Sequence, residues 1–439
     1  GVSYDNIVSV KLNKSLAPIG ELLDSNILKQ LPIDHYGIDI NKLIALLANA
    51  PVQLNALVST IIEIARSSEM SRNIFSKTAL RIYKEFNENY FPELEEAVDK
   101  FKRENNISNS ETITSRLLTE LLKNNYAYSI NNNTLNTFPE LNHVRAIVKD
   151  GKEKTLFSNK KLSDSQLSFI LGKELAYNYL SISDRSLVYS SSNLDSFDQL
   201  LNNLRASYFA TSLLISKENI IDDFTHLISQ QRWENKFLLG LLKKYNVTPE
   251  ILFQRLASVV PKYFNINKFY FLRFNHNSST NECDLSKELH LNTHQNPGGY
   301  HTNEHYCRRW ISINVIEELK NQKKVNLNKT IVGIQKSKFI NSNDEYLSIS
   351  LAKPSRIKEG NISSVTLGFL IDSDLEKKFQ FLNDKRIKLK HVNDTCENCD
   401  LMDCEERVAE ASIIKTKNKK ENLKLAIQNL FSTNELETN

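Results

Sequence analysis

Apolar residues recur at spacings of three and four along much of the chain, which predicts a series of amphipathic helices. Residues 38–104 follow this pattern, and Pro92 marks the start of a helix whose first turn is rich in glutamate. A charged, asparagine-containing stretch near 103–110 then indicates a boundary. The same spacing predicts further helices over 113–122, 197–218 and 219–245.

A change from helical spacing to alternation predicts strands in two later regions. Residues 144–148 and 153–157 alternate on either side of Asp150-Gly151, which is typical of a hairpin. Residues 126–130 form a short strand pattern before an asparagine-rich turn. The carboxy-terminal third contains four more strand-like segments: 268–275, 330–335, 346–352 and 364–371.

Helix starts and one linker complete the pattern. Ser163 and Gln166 form a capping box before a helix. Thr248-Pro249-Glu250 places a capping hydroxyl, a first-turn proline and an acid at another helix start. Lys415 to Lys420 is predicted to be a charged linker that leads to a short amphipathic tail helix.

Together these patterns predict an α+β protein with four regions. We place a helical region at 1–108, a middle domain at 109–246, a mixed α/β domain at 247–412, and a linker with a tail helix at 413–439. A chain of 439 residues is long enough for two or three domains of about 150 residues each.

Composition narrows the class of protein only modestly. The chain is 40% hydrophobic and 25% charged, with a net charge of +4, which is typical of a soluble globular protein and does not mark a nucleic-acid binder. There is neither a leader pattern nor a long apolar run, so we expect a cytoplasmic protein without membrane association. Five cysteines, three of them clustered, fit a reducing compartment better than a disulfide framework.

The cysteines carry the most specific chemical signal. Cys396, Cys399 and Cys404 follow one another within nine residues, and Cys307 lies far upstream. Thiolates are the ligands that zinc and iron–sulfur clusters prefer, and four of them complete either centre. The spacing alone does not decide between the two. Cys283, in a polar context, is expected to be a bystander.

Charged neighbours of Cys307 extend this candidate site. His301 and His305 could replace a cysteine as ligands, although we favour contacts to a ligand or to the backbone. Arg308 and Arg309 could stabilise a thiolate or a cluster, could hold a phosphate, or could form only a solvated surface.

The capped helix contains a degenerate metallopeptidase motif. Zinc peptidases place His-Glu-x-x-His on such a helix, with two imidazoles one turn apart and a glutamate as general base. Here the sequence is Lys173-Glu174-Leu175-Ala176-Tyr177, so only the glutamate remains. By itself this is an ordinary amphipathic helix.

A second segment strengthens the comparison. Residues 205–210 resemble the segment that supplies the third zinc ligand in ImmA/IrrE-type metallopeptidases, and Arg205 occupies that ligand position. We therefore expect an inactive, zincin-like middle domain, with Lys173 and Arg205 placing positive charge where zinc would bind.

With both motifs present, the chain resembles the short-chain fatty-acyl transcriptional regulators, including propionate/methylcitrate regulators. These are XRE-type helix-turn-helix proteins with a degenerate ImmA/IrrE-like domain and a carboxy-terminal sensory domain. The resemblance rests on six segments: 89–94, 173–177, 205–210, 248–256, 304–310 and 396–407. The last two are the most specific. No helix-turn-helix pattern is visible in residues 1–37 and the chain begins with Gly, so we expect that module to lie outside this chain.

The resemblance implies a 4Fe–4S cluster on Cys307, Cys396, Cys399 and Cys404, and acyl-CoA as the effector of a homodimer or larger homo-oligomer. Effector-binding residues are suggested from charge and aromatic type: Lys173, Arg205, Arg273, Tyr306, Arg308, Arg309 and Trp310. Two other classes of protein remain open. One is a zinc-stapled protein-interaction module, and the other is an active metallopeptidase, which would need zinc held without histidine.

Overall fold

The structure is a computed structural model that describes residues 72–151, 153–189, 196–291, 304–322, 326–340, 342 and 344–436. The predictions for residues 1–71 and for His301 lie outside these ranges. Helices and sheets are mixed, which confirms the α+β class. The described residues form two compact units, one from residues up to Asn106 with Arg116–Lys160 and Phe169–Ala210, the other from the remainder. The four regions predicted from the sequence remain predictions.

The first unit combines helices with a small sheet. Its elements are α1 (Arg72–Phe86), α2 (Pro92–Glu104), α3 (Ser115–Tyr126), β1 (Tyr128–Asn131), β2 (Ala146–Lys149), β3 (Lys154–Ser158), α4 (Asp164–Tyr179) and α5 (Phe197–Leu214), with the ends of α3, α4 and α5 belonging to the second unit. The sheet order is β1-β3-β2. Strand β3 pairs antiparallel with β2, as the hairpin pattern predicts, and parallel with β1.

Two helices of the first unit approach each other closely. A Cβ atom at Gly172 on α4 would lie 3.2 Å from the Cβ of Ala210 on α5, so small residues permit the contact. Phe101 of α2 is fully buried and packs edge-on against Tyr179 and Phe209, at ring-centroid distances of 5.0 and 5.7 Å. Aromatic rings bury a large apolar area, so this cluster fixes α2 against the two helices.

The second unit is built around a larger sheet. Its elements are α6 (Lys217–Ile228), α7 (Asn235–Lys244), α8 (Pro249–Phe264), β4 (Phe269–Asn277), β5 (Glu282–His290), α9 (Ile311–Lys320), β6 (Ile331–Phe339), β7 (Glu345–Pro354), β8 (Ile362–Leu370), α10 (Ser373–Lys378), β9 (Leu389–Val392) and α11 (Ser412–Leu436). The strand order is β5-β4-β8-β7-β6-β9. All pairs are antiparallel except β6–β9.

Helix α8 begins where the sequence predicts. The Thr248 hydroxyl accepts a hydrogen bond from the Ile251 amide, and Pro249 occupies the first helical position. Arg255 on this helix is almost completely buried, and its guanidinium donates to the Ile215 carbonyl at 3.0 Å and to the Ser212 hydroxyl at 2.8 Å. Because its donors have partners, the burial of this cation is tolerated.

Helix α9 covers one face of the large sheet. Its buried residues Val315, Ile316 and Leu319 pack with Trp310 and with side chains of β4, β6, β7 and β8 in one apolar cluster. Trp310 is the residue before the first turn of α9. The residues just after Cys307 are therefore anchored in the core.

One prediction for the tail is wrong. Lys415 to Lys420 is not a linker, because these residues lie inside the continuous helix α11. Lysines have good helix propensity and tolerate exposure, so a charged run can continue a helix. Among the described residues, no helix is long and apolar enough to span a membrane.

Candidate metal centre and degenerate peptidase site

The two cysteine-bearing segments meet through a short backbone bridge. Tyr306 and Thr395 pair as an isolated antiparallel bridge. Beside it, the Cys396 amide donates to the His305 carbonyl at 2.8 Å, and the Cys307 amide donates to the Asp394 carbonyl at 3.1 Å. These bonds place Cys307 next to the start of the cysteine cluster, although the segments are far apart in sequence.

All four predicted ligands line one cavity. Cys307, Cys396, Cys399 and Cys404 all lie on its wall, and the cavity is open to solvent. The first three thiols are buried, and Cys404 is half-buried. The sequence prediction that distant thiols converge therefore agrees with their placement, while their role as ligands remains a prediction.

The environment of Cys307 disfavours a free thiolate. Burial, helped by negative charge on Cys396 and Cys399, raises the pKa of the Cys307 thiol to about 11 against the opposing backbone hydrogen bonds of Asn393 and Arg309. A bound metal deprotonates a coordinating thiol outright. Cys307 would therefore carry its charge only in the presence of a cation.

Arg407 shapes the cysteine loop from within. Its Nη1 donates to the Cys396 carbonyl at 2.6 Å, and its Nη2 donates to the carbonyls of Cys399 and Leu401 at 2.9 and 2.7 Å. The planar guanidinium fork can satisfy several carbonyls at fixed geometry. Arg407 thus fixes the turn that presents the three clustered thiols.

His305 and Glu397 join the two segments a second time. The Glu397 carboxylate accepts from the His305 amide at 2.9 Å and pairs with His305 Nδ1 at 2.7 Å. Although burial alone would raise the pKa of Glu397, its contacts with His305 hold that pKa below the ordinary range. His305 is therefore engaged with a carboxylate through Nδ1, and its expected contact with a ligand or with the backbone stays a prediction.

Three arginines contribute to the same cavity wall. Arg308, Arg309 and Arg407 all line it, and the Nε atom of each is buried without a hydrogen-bond acceptor among the described residues. The same holds for the Nε atoms of Arg273 and Arg356, so it is the placement of the three cavity-wall arginines beside the four thiols that suits an anionic group. An anionic inorganic group with sulfur acceptors fits this donor set.

The side chains are not drawn together around a single ion. Across the described residues, no three His, Cys, Asp or Glu side chains are arranged so that they could hold a metal ion as they stand. What the structure shows is a shared cavity with four thiols and three cationic side chains.

Tyr306, Trp310 and Arg273, which were also suggested for an effector, are engaged by neighbouring protein groups. Trp310 is 4% exposed and packs edge-on against Phe274, as does the half-buried Tyr306, so both aromatic rings serve the core. Arg273 on β4 pairs with Glu250 at 3.3 Å. The two aromatic rings and Arg273 are therefore already occupied by contacts within the protein.

Cys283 does not line the cavity. Its sulfur is the acceptor for Arg308 Nη1 at 3.9 Å, and Arg308 also lies 4.0 Å from Glu317. The guanidinium end of Arg308 is therefore directed at groups outside the cysteine cavity.

In the first unit, the surviving glutamate of the degenerate motif is sequestered. Glu174 is fully buried, and Arg185 Nη1 donates to its two carboxylate oxygens at 2.7 and 2.8 Å. The hydroxyl of Tyr128 donates at 2.9 Å, and the hydroxyl of Tyr189 makes a further short bond. A carboxylate with all of its acceptor sites engaged is poorly placed to act as a general base.

The three residues that align with the ligand positions of the peptidase motif differ in their surroundings. Lys173 is buried and contacts the Asn203 side chain, and the Tyr177 hydroxyl lies 3.5 Å from the same amide oxygen. Arg205 is exposed. Residues 203 and 205 are about 200° apart around an α-helix, so the polar group of α5 that meets Lys173 is Asn203. The expectation that Lys173 and Arg205 both place positive charge where zinc would bind stays a prediction.

Several of these residues were not found from the sequence. Arg185 and Tyr189 lie between α4 and α5 and belong to no motif, so no sequence signal marked them. Arg407 closes the Cys-rich segment used for the family resemblance, but its part in folding the loop was not foreseen.

Comparisons with known proteins support the fold only. A Mycobacterium tuberculosis transcriptional regulator of known structure has a similar fold, with a TM-score of 0.52 and 15% identity, over 76% of this chain and 93% of that one. At this identity the likeness concerns architecture alone. No family model matches the chain, and no curated protein matches it.

Proposed function

We propose that the chain is the effector-sensing part of a transcriptional regulator of short-chain acyl-CoA metabolism, with an iron–sulfur cluster in the four-cysteine cavity. The observation that carries the proposal is the Tyr306–Thr395 bridge, which brings Cys307 to the wall shared with the clustered thiols. The regulatory role is favoured by the fold likeness to a transcriptional regulator. Acyl-CoA as effector rests on the family resemblance.

The residues that would hold the cluster are Cys307, Cys396, Cys399 and Cys404. When bound, such a cluster supplies a centre that can exchange electrons and that joins two distant chain segments. The protein's own contribution is to exclude water with buried side chains, to fix the thiols through Arg407, and to offer cationic donors. Binding of acyl-CoA would change the orientation of subunits in a homo-oligomer, and so the spacing of helix-turn-helix modules attached to them.

Anaerobic purification tests the cluster directly. We expect iron and acid-labile sulfide at comparable amounts in each chain, with broad visible absorption. Cys307→Ser should remove most of the iron because one ligand is lost, whereas the matched control Cys283→Ser should retain it. A colourless protein with stoichiometric zinc would instead support the zinc-stapled interaction module.

A thermal shift assay tests the effector. A ligand that binds only the folded state raises the melting temperature by mass action. Acetyl-, propionyl- or butyryl-CoA should therefore raise it, with free CoA and ATP as controls. Equal melting temperatures at saturating concentrations of all three would remove acyl-CoA from the proposal.

We further propose that the first unit has no peptidase activity. The bonds from Arg185, Tyr128 and Tyr189 to Glu174 leave no free carboxylate oxygen for an activated water. A casein digestion assay with added zinc should show no cleavage. Cleavage that disappears in Glu174→Ala would contradict this part of the proposal.

A further inference from the structure

The two adjacent arginines after Cys307 differ in where their guanidinium groups are held. Arg308 Nη1 approaches Cys283 and Glu317 at 3.9 and 4.0 Å, and neither of these residues lines the cysteine cavity. Arg309 Nε instead lies 3.9 Å from Glu406, a residue that does line it. The charge of Arg309 is thus retained at the cavity wall.

The contact between Arg309 and Glu406 is too long to be a hydrogen bond. The Nε atoms of Arg308 and Arg309 are both buried without an acceptor among the described residues, but of the two only the Arg309 guanidinium is held beside another residue of the cavity wall, Glu406. Glu406 has a closer cation in Lys390, at 3.5 Å. Arg309 could therefore donate to another acceptor without leaving Glu406 unpaired.

The cavity would hold a strongly anionic group. Four coordinating thiolates bring four negative charges, and a cluster on them retains a net negative charge that grows on reduction. Neighbouring positive charge and N–H donors to sulfur stabilise the more reduced, more negative state. Arg407 also lines the cavity, but its two terminal nitrogens already hold loop carbonyls.

We infer that Arg309 is a positioning residue of the four-cysteine centre, whose Nε–H donates to a sulfur of the bound cluster and whose charge raises its reduction potential. This inference rests on the proposed function, because it needs a cluster in the cavity. It assigns different roles to two neighbouring arginines that sequence alone treats as a pair.

The test is a redox titration of the full chain, purified anaerobically, followed by visible absorption and electron paramagnetic resonance. Arg309→Gln should lower the midpoint potential, with a roughly tenfold change in the reduction equilibrium, about 59 mV for one electron. Arg309→Lys keeps the charge but loses the Nε–H, so it should also lower the potential, by less.

Arg308→Gln is the matched control. This variant removes the same charge at the neighbouring position. In the wild type, the Arg308 guanidinium lies near Glu317 and Cys283, which lie outside the cysteine cavity. The midpoint potential of the variant should stay much closer to that of the wild type. Equal shifts in Arg308→Gln and Arg309→Gln would overturn the inference, because they would reflect net charge alone. If Arg309→Lys has the same midpoint potential as the wild type, the proposed hydrogen bond from Arg309 Nε–H to a cluster sulfur is wrong.

The outcomes separate the inference from the proposed function. If the anaerobically purified wild-type protein contains no iron and sulfide, the proposed iron–sulfur function is wrong. A wild-type protein that carries a cluster, with unchanged potentials in both Arg309 variants at equal iron content, would end only the inference. Loss of the acyl-CoA thermal shift in Arg309→Gln at an unchanged potential would assign this arginine to a ligand phosphate instead, and would also overturn it.

Discussion

At the scale of single residues, one carboxylate decides the chemistry of the first unit. Glu174 occupies the general-base position of the metallopeptidase motif that the sequence resembles, and its partners are Arg185 and two tyrosine hydroxyls. Burial, together with the negative charge of Glu174, raises the pKa of the Tyr128 hydroxyl to about 12, so Tyr128 stays protonated and donates. The guanidinium supplies inside the protein the positive charge that a metal would bring.

Removing the Arg185 guanidinium should lower the free energy of unfolding. Arg185→Gln leaves the fully buried Glu174 without its cation, and breaking a buried pair by removing one partner costs about 3–5 kcal/mol. Urea unfolding should show this loss. The double variant Glu174→Gln with Arg185→Gln should lose less than Arg185→Gln alone, because no unpaired charge remains.

The exposed pair Arg116–Glu120 provides the control for that measurement. Arg116 is largely exposed at 3.1 Å from Glu120, and such surface pairs contribute about 0–1 kcal/mol. Arg116→Gln should therefore leave the unfolding free energy nearly unchanged. An equal loss in both single variants would contradict the role given to the buried pair.

Residue-level prediction from the sequence succeeded where spacing alone fixes the geometry. The capping box is confirmed, since the Gln166 side chain accepts from the Ser163 amide at 3.0 Å and the Ser163 hydroxyl accepts from the Gln166 amide at 3.3 Å. Arg185 could not be predicted, because its position depends on how an irregular segment folds back over α4. Tertiary contacts of this kind leave no periodic signal.

At the scale of elements, the large sheet carries an unusual polar patch under α9. Hydroxyls of Tyr270, Ser348 and Ser337 follow one another at 2.8 and 3.2 Å, and all three residues are buried. Each hydroxyl finds a partner in its neighbour, so the patch meets the requirement that buried polar groups be paired. The ring of Tyr270 is thereby fixed at both ends.

Gly368 on β8 should be the most sensitive glycine of this sheet. A Cβ there would lie 2.1 Å from Tyr270 Cζ, and that ring is buried and bonded to Ser348. Gly368→Ala should therefore lower the unfolding free energy by about 1–3 kcal/mol through overpacking. Chemical denaturation measures the change.

Gly240 offers the matched comparison. It is exposed within α7, and a Cβ there meets nothing within 4 Å. Gly240→Ala should raise the unfolding free energy by about 0.5–1 kcal/mol, because alanine has the better helix propensity. Similar losses in both variants would show that the contact with Tyr270 is unimportant.

The cap of α10 should make stability depend on pH. Burial alone would raise the pKa of Asp372, but the Leu375 and Asp374 amides and Lys268 hold it below its ordinary value. A carboxyl with a lowered folded-state pKa stabilises the fold above its unfolded pKa, and this contribution is lost as pH falls through the folded pKa. Asp372→Ala should therefore cost about 1 kcal/mol near neutral pH.

The difference between wild type and Asp372→Ala should shrink as pH falls below about 4, where the carboxyl becomes protonated. Asp372→Asn keeps an acceptor for the helix amides but loses the charge that pairs with Lys268, so its loss should be smaller. Unfolding measured across pH 2–7 checks both expectations. A pH-independent difference would mean that the charge contributes nothing.

Elements with strong local signals were predicted well, and those fixed by long-range pairing were not. The four strand segments of the carboxy-terminal third correspond to β4, β6, β7 and β8. Strand β5 was missed because it is an edge strand rich in charged residues. Strand β9 was missed because it has four residues and exists through its pairing with β6.

At the scale of the whole molecule, α11 is an element that is exposed over most of its length. From Lys415 to Asn429 its side chains are exposed. A chain that ends after Lys417 should therefore keep its melting temperature and lose only helical circular dichroism. Isolated helices of this kind are marginal in water, so most of α11 contributes little to stability unless it packs against a partner.

The dependence of the melting temperature on protein concentration distinguishes an exposed α11 from one that packs against a second subunit. A melting temperature that falls on truncation, and falls more at low protein concentration, would show that α11 is buried between subunits. This outcome would support the predicted homo-oligomer. Sequence could not decide the point, because a helix that is exposed in one chain can be covered in an assembly.

The bridge between Tyr306 and Thr395 has a consequence for how oxidation would affect proteolysis of the protein. His305 and Glu397, on either side of it, are 92 residues apart in the chain, so an inorganic group bound there would close a very long loop. If oxidation removed that group, the four bonds to the cysteine thiolates would be lost, and only a few hydrogen bonds would still join the two segments. Damage to a few atoms would then expose the irregular cysteine-bearing segment 396–407 to proteases, and would shorten the lifetime of the protein.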